Sequence, residues 1–343
     1  MSEDRIIEYI DNPDFNDWVD TNDGNSVYIE GYTFNPSQTL YKMNYRQYCE
    51  ALQLYLADDS LLLEEVYSSF PTPIAFYLYQ AQENYDNPHH RLDLLKSTWE
   101  ALVFFLYGIV IGEARHRKIP LNEIGVNLKE YYSDRLAQKL TIIENIIDLC
   151  HKKNYTLVCS QILSIEAISQ LRKLNQKRNS FEHSFAATPE RQRDLYNELL
   201  PEMITALKLL RSLDKISLFR YHSTDDGGVL LPRCDIFRGH SLDGAKKTIR
   251  LTKEDFDIVL PYFNPQSIFA YIEDETIFCL SPFIHFKRDA EDSHPKLIVF
   301  KKKNSANKYL YGIIGQFASV ELDKDIFKDR DEELRLLVLP GAA

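Results

Sequence analysis

The sequence has no P-loop, no GxGxxG run and no internal repeat, and its 12 glycines lack the spacing needed to cradle a nucleotide. Chemistry that depends on a glycine-rich phosphate loop therefore has no support. The five cysteines, Cys49, Cys150, Cys159, Cys234 and Cys279, are odd in number, scattered and never arranged as CxxC. Cys150 and Cys159 have no paired histidines beside them, so reduced core thiols are expected in place of disulfides or a zinc site. Positive charge is also short: 40 Lys and Arg against 51 Asp and Glu leave a net charge of −11. Such a balance argues against a broad, salt-driven grip on nucleic acid or anionic lipid, and any nucleic-acid contact must be local. The longest apolar run, Ala101 to Ile111, is too short to span a bilayer. The acidic opening Met1-Ser2-Glu3-Asp4-Arg5 does not resemble a secretory signal. A cytoplasmic protein with no membrane partner, no metal and no cofactor is expected.

A chain of 343 residues with 44% hydrophobic and 27% charged residues is long enough for two domains and a substantial core. Residues 1–40 read as an irregular lead-in with short strands at Val27-Tyr28-Ile29 and Tyr32-Thr33-Phe34. Helical spacing runs from Tyr45 to Tyr67 and stops at Pro71-Thr72-Pro73. Four further helices are predicted: Arg91 to Ala114, apolar on most of its surface; Ser133 to Cys150; Ser160 to about Phe185; and Pro189 to Leu213, opened by Thr188 as cap and a first-turn proline. Beyond Leu218 the texture becomes β-prone, with hairpins at Ile268–Ile272/Thr276–Leu280 and Leu297–Phe300/Tyr309–Ile314, and a short capped helix after Thr252. The expected fold class is α+β and multidomain: a lead-in and helical extension over 1–70, an all-α bundle over 71–215 and a smaller β-rich sensor or docking domain over 216–343.

The sharpest chemical signal is Arg178-Asn179-Ser180-Phe181-Glu182-His183, which pairs a permanent cation with the side chain that titrates near neutral pH. Metal-free RNA cleavage needs a base for the 2′-hydroxyl proton, an acid for the leaving 5′-oxygen and a cation for the phosphorane. His183 supplies proton exchange, and the Arg178 fork can hold two phosphate oxygens. Asn179, one helical turn before His183, can orient the imidazole or the sugar. On a straight helix Arg178 and His183 stand about 140° apart, so either the helix bends after Ser180 or two subunits combine their residues across a two-fold axis. Arg172, Lys173, Lys177 and Arg178 form a local basic cluster able to draw RNA to an acidic protein. The bland alternative is an Arg178–Glu182 surface ion pair with a half-buried histidine. Against it, Arg178 continues the apolar stripe of Ile168, Leu171 and Leu174, a costly position for a guanidinium that faces no cleft or partner.

This hexapeptide resembles the RNxxxH form of the R-x4-6-H motif of HEPN domains, all-helical ribonuclease modules of toxins, phage-defence proteins and RNA-targeting CRISPR effectors. The resemblance covers the predicted bundle and carries over only Arg178, Asn179 and His183. It implies a homodimer with a composite site, RNA as substrate, 2′,3′-cyclic phosphate and 5′-hydroxyl products, and control by an antitoxin or defence-complex partner. The competing reading is an inert HEPN-like scaffold whose β-rich part recognises a protein, nucleotide or RNA. Three other clusters read as structural: His89-His90 as a solvated turn, Pro282 to Arg288 as a strand end packed in the core, and Lys301-Lys302-Lys303 as a charged hairpin tip.

Overall fold

A computed structural model of the protein describes residues 7, 9–23, 35–181, 188–224, 232–262, 264, 266–272, 276–287, 296–304, 308–316 and 318–339. The chain divides into two compact units, Met1–Glu64 and Glu65–Ala343.

The first unit is helical where the sequence predicts an irregular lead-in. Helices α1 (Pro13–Asp23) and α2 (Pro36–Met43) each begin with a proline behind an asparagine. Asn12 Oδ1 accepts from the Phe15 amide at 2.8 Å, and Asn35 Oδ1 from the Ser37 amide at 3.2 Å. Asparagine at the cap and proline at the first helical position stabilise a helix start, and this local signal outweighs the polar composition. The strands predicted at 27–29 and 32–34 lie outside the described residues. The single helix predicted from Tyr45 to Tyr67 is two, α3 (Tyr45–Ala57) and α4 (Asp59–Ser69). Asp58 makes the break, its carboxylate accepting from the amides of Ser60 at 2.8 Å and Leu61 at 3.3 Å. Phe15, Tyr48, Leu52 and Tyr55 form this unit's own core. The division between units falls within α4.

In the second unit the four predicted helices form with shifted ends, as α6 (Pro88–His116), α7 (Leu136–Lys153), α8 (Ile165–Phe181) and α9 (Pro189–Leu209), and they are preceded by α5 (Thr72–Tyr79), where the sequence predicts only a stop at Pro71-Thr72-Pro73. Asn87 caps α6 by accepting from the amides of His89 at 2.9 Å and His90 at 3.4 Å. A window of 18 residues in α6 is apolar enough to cross a membrane, with mean hydropathy 1.6, yet 83% of it is buried inside the fold. Leu95, Trp99, Leu102, Phe105 and Ile109 are fully enclosed, so α6 is apolar all round because the core surrounds it.

Two antiparallel sheets complete the unit. Strands β1 (Ile216–Thr224), β2 (Pro232–Phe237), β3 (Ala245–Thr248), β4 (Phe269–Ile272) and β5 (Thr276–Cys279) are ordered β3-β2-β1-β4-β5. Helix α10 (Lys253–Val259) interrupts them, with the Thr252/Asp255 capping box its sequence indicates. The second sheet is the meander β6 (Ile284–Lys287), β7 (Lys296–Lys303), β8 (Lys308–Ile313) and β9 (Ser319–Asp323), followed by helix α11 (Lys328–Val338). Mixed helices and sheets make the protein α+β, as expected.

The predicted boundary at 215 does not separate a compact unit. The sheets pack directly on α6, where Gly108 and Gly112 leave room for a close approach. A Cβ on Gly108 would meet Ile284 at 3.3 Å, and one on Gly112 would meet Leu280 at 3.0 Å. Arg115 on the same helix donates to the carbonyls of Cys279 at 2.9 Å and Ser281 at 2.7 Å. The glycine spacing carries no local β signal, so the sequence placed the texture change correctly but not its packing.

Candidate functional site

Helix α8 is fixed before its motif is reached. Ile168, Leu171 and Leu174 are buried, as their stripe requires. On its polar side every cation of the predicted RNA-drawing cluster that the structure describes has an acidic partner. Arg172 pairs with Glu144 of α7 and donates to Thr141 Oγ1 at 3.3 Å. Lys173 reaches Glu202 of α9 at 3.0 Å, and Lys177 pairs with the same carboxylate. Gln170 Nε2 adds a bond to Glu202 Oε2 at 2.8 Å. Glu202 is pulled down to about 2, chiefly by the Lys177 bond, with Gln170 and Lys173 helping against desolvation. Sequence spacing along α8 could not reveal these partners, which lie on other helices.

A depressed carboxylate stabilises the fold above its ordinary value of 4.5 and loses that contribution as pH falls towards 2. Glu202→Ala is therefore expected to cost about 1 kcal/mol at pH 7. The cost should shrink towards zero by pH 2, read as the urea midpoint of variant against wild type.

The backbone of α8 is helical through Arg178 and Asn179 to Phe181. Glu182 and His183 lie outside the described residues. Helix α9 resumes at Thr188, whose Oγ1 accepts from the Arg191 amide at 3.4 Å. Its first turn meets the first turn of α6: Gln192 Nε2 lies 3.2 Å from His89 Nδ1, and His89 Nε2 lies 3.3 Å from Asp93. His89 is thus no solvated turn. It is anchored between two helices, at the end of α9 that follows the motif in sequence. Gln192 is about a hundred positions away in sequence, and no local pattern announces the contact.

A concavity bordering α8 runs between α6, the start of α7 and the second sheet. A cavity of about 570 Å³ is lined by Glu100, Phe104, Asp134, Arg135, Asn175 and Lys301, among others. A neighbouring one of about 210 Å³ shares Glu100, Phe104, Lys301 and Ser319 with it, so the two form one groove. Asn175 stands three residues before Arg178 on α8 and is only 8% exposed. Lys301 to Lys303 are strand residues of β7 and not the hairpin tip the sequence suggests. Lys302 is held 3.0 Å from Asp134, while Lys301 lines the groove. The strand continues through the lysines because β8 pairs with it as far as Lys303↔Tyr309.

Below this groove is a buried amine. Lys139 on α7 is fully enclosed, its Nζ 4.1 Å from the ring centre of Tyr107, 5.0 Å from Phe104 and 5.4 Å from Phe300, without a hydrogen-bond partner. Desolvation pushes its pKa down to about 7, against a weak pull from Asp134. Among the described residues no three His, Cys, Asp or Glu side chains are grouped to hold a metal ion.

No protein-family model, no curated protein and no solved structure matches the chain.

Proposed function

We propose that the protein is a metal-independent endoribonuclease of HEPN type, acting as a homodimer in a toxin or phage-defence role. The observation that carries the reading is the hexapeptide Arg178 to His183, entered from a helix whose Ile168, Leu171 and Leu174 are buried and whose Asn175 lines a polar groove. In this reading Arg178 binds and offsets the phosphate charge, His183 moves the protons and Asn179 orients the imidazole or the sugar. RNA follows the groove past Arg135 and Lys301, a local basic path on an acidic protein. Arg172, Lys173 and Lys177 then act mainly as the ties that set α8 against α7 and α9, and touch RNA only through charge left over from those pairs. Two copies of the motif brought together by a two-fold axis complete the site.

Charge reversal in the groove tests this path. Lys301→Glu and Arg135→Glu are expected to weaken RNA binding about tenfold each at moderate salt and to flatten its salt dependence by about one phosphate contact. Cleavage at saturating RNA should be unchanged. Binding indifferent to both variants contradicts the path. The second reading, an inert scaffold, draws support from the internal pairing of Arg172, Lys173 and Lys177; it predicts a dimer or complex subunit that never cuts RNA under any trigger.

A further inference from the structure

The groove bordering α8 is lined by donors that nothing in the described chain answers. Helix α7 opens onto it, with Leu136 and Ala137 on the wall of the larger cavity. Arg135 takes the cap position without a side-chain cap bond, and the helical ladder begins only where the Lys139 amide donates to the Arg135 carbonyl at 3.1 Å. Among the described residues the amides of Leu136, Ala137 and Gln138 have no acceptor. The uncapped start of an 18-residue helix combines free N–H groups with partial positive charge, which suits an anion.

Asn175 is an independent sign of a ligand at the same place. Helices α7 and α8 run antiparallel: Arg172 meets Glu144, and Asn175, about one turn further along α8, shares the cavity with Leu136 and Ala137. Asn175 is 8% exposed, and its side-chain amide has no hydrogen-bond partner among the described residues. Neither polar atom of that amide is sealed from the surface, and the surface it borders is the groove. A nearly buried amide left open is unfavourable until a ligand or water answers it.

The strand aims a cation into the groove. Phe300 pairs with Tyr311 and Lys302 with Leu310, so Lys301 is the extra residue of a β-bulge. Its side chain lies over Gly312 of β8, where a Cβ would come 2.6 Å from Cε and 3.5 Å from Nζ. The Lys303 amide donates to the Tyr132 carbonyl at 3.1 Å and holds this strand against the lead-in to α7. Among the described residues neither Lys301 nor Arg135 has an acidic partner, whereas Asp134 is engaged by Lys302 at 3.0 Å. Glu100 of α6 shares the wall and opposes an anion.

We propose that the first turn of α7, Asn175, Arg135 and Lys301 form an anchor for one nucleotide phosphate, carried on RNA as a diester or on a mononucleotide. The amides of Leu136 and Ala137 and the Asn175 amide nitrogen donate to its oxygens, and the two cations offset its charge. Asn175 precedes Arg178 by three residues, about 4.5 Å of helical rise, so an RNA phosphate held here is a near neighbour of the scissile one. That placement rests on the ribonuclease reading; the anchor itself does not.

The test is calorimetric titration of the full chain with a 2′-O-methyl RNA hexamer, which cannot be cut through its 2′-oxygen, and with UMP and uridine, at fixed ionic strength. Saturable binding of the hexamer or of UMP is expected. Asn175→Leu should raise Kd about tenfold while the urea midpoint holds or rises, because leucine removes an unanswered amide. A merely structural asparagine would move stability and leave Kd alone. Gly312→Ala displaces the Lys301 ammonium without changing charge and should raise Kd about threefold; it supplies the readout if circular dichroism shows Asn175→Leu unfolded. A hexamer bound at least about tenfold tighter than UMP identifies the diester, and UMP bound as tightly as the hexamer identifies the mononucleotide. Absence of saturable binding by both, Kd values indifferent to Asn175→Leu and Gly312→Ala, or uridine bound as tightly as the better of the two overturns the anchor. Cleavage of unmodified RNA reports separately: cutting that persists after the anchor fails leaves the ribonuclease reading standing, and variant-sensitive binding by a protein that cuts no RNA leaves the anchor standing alone.

Discussion

Lys139→Met is expected to stabilise the folded protein by on the order of 3 kcal/mol at pH 7. The wild-type amine is fully enclosed by Tyr107, Phe104 and Phe300, with no hydrogen-bond acceptor. Its pKa falls from 10.5 in the open chain to about 7. Between those values the unfolded chain binds a proton that the folded chain refuses, so protons favour unfolding and stability rises with pH across that window. A tenfold change in proton affinity is worth about 1.4 kcal/mol, which sets a ceiling near 5 kcal/mol before relaxation of the surroundings reduces it. Methionine has nearly the same length and flexibility, and its thioether sits well against aromatic rings. The measurement is urea unfolding of both proteins from pH 6.5 to 10.5. The gap between them should be widest at the acid end and close steadily towards pH 10.5. A gap that is constant with pH means that the amine is charged and satisfied in the folded state.

Single alanine substitutions at Arg178 and His183 are each expected to lower RNA cleavage by about 10² to 10⁴-fold, with folding and dimer formation unchanged. Losing the histidine removes proton transfer; losing the arginine leaves the phosphorane charge without its bidentate cation. In the proposed mechanism the two residues act in one step, so the double variant should be scarcely worse than either single one. Asn179→Ala should cost less, about tenfold, because it orients a group and transfers no proton. Arg178→Lys should recover only part of the loss, since a point charge cannot reproduce the planar fork. A loss of cleavage that follows thermal unfolding of each variant instead of its chemistry would return these residues to a structural role.

Much of the helical half was legible because its signals are local. The apolar stripe Ile168, Leu171, Leu174 predicts the buried face of α8, and Thr188-Pro189 announces the start of α9. The caps Asn12 and Asn35, each followed by proline, were equally local but were overshadowed by the polar composition around them. The break at Asp58 was missed because apolar spacing continues across it, whereas its side chain captures two amides. What stayed hidden depends on distant residues. Glu144 and Glu202 bind the cations of α8, Gln192 meets His89, and strand pairing with β8 carries Lys301 into a groove wall. The Ser281–His285 pair is only four residues apart, but its burial against Arg115 of α6 and against Phe327 is a tertiary fact. Of the candidate catalytic residues, Arg178 and Asn179 are seen only as helical backbone, and His183 lies outside the described residues.

The most direct measurement is of the ends left on a defined RNA by the purified wild-type protein in EDTA, compared with the Arg178→Ala and His183→Ala proteins. Metal-free cutting by the wild type alone, leaving 2′,3′-cyclic phosphate and 5′-hydroxyl ends, is the result expected. An RNA left intact under every trigger, cutting that requires a divalent metal, or cutting that survives both substitutions would contradict the account.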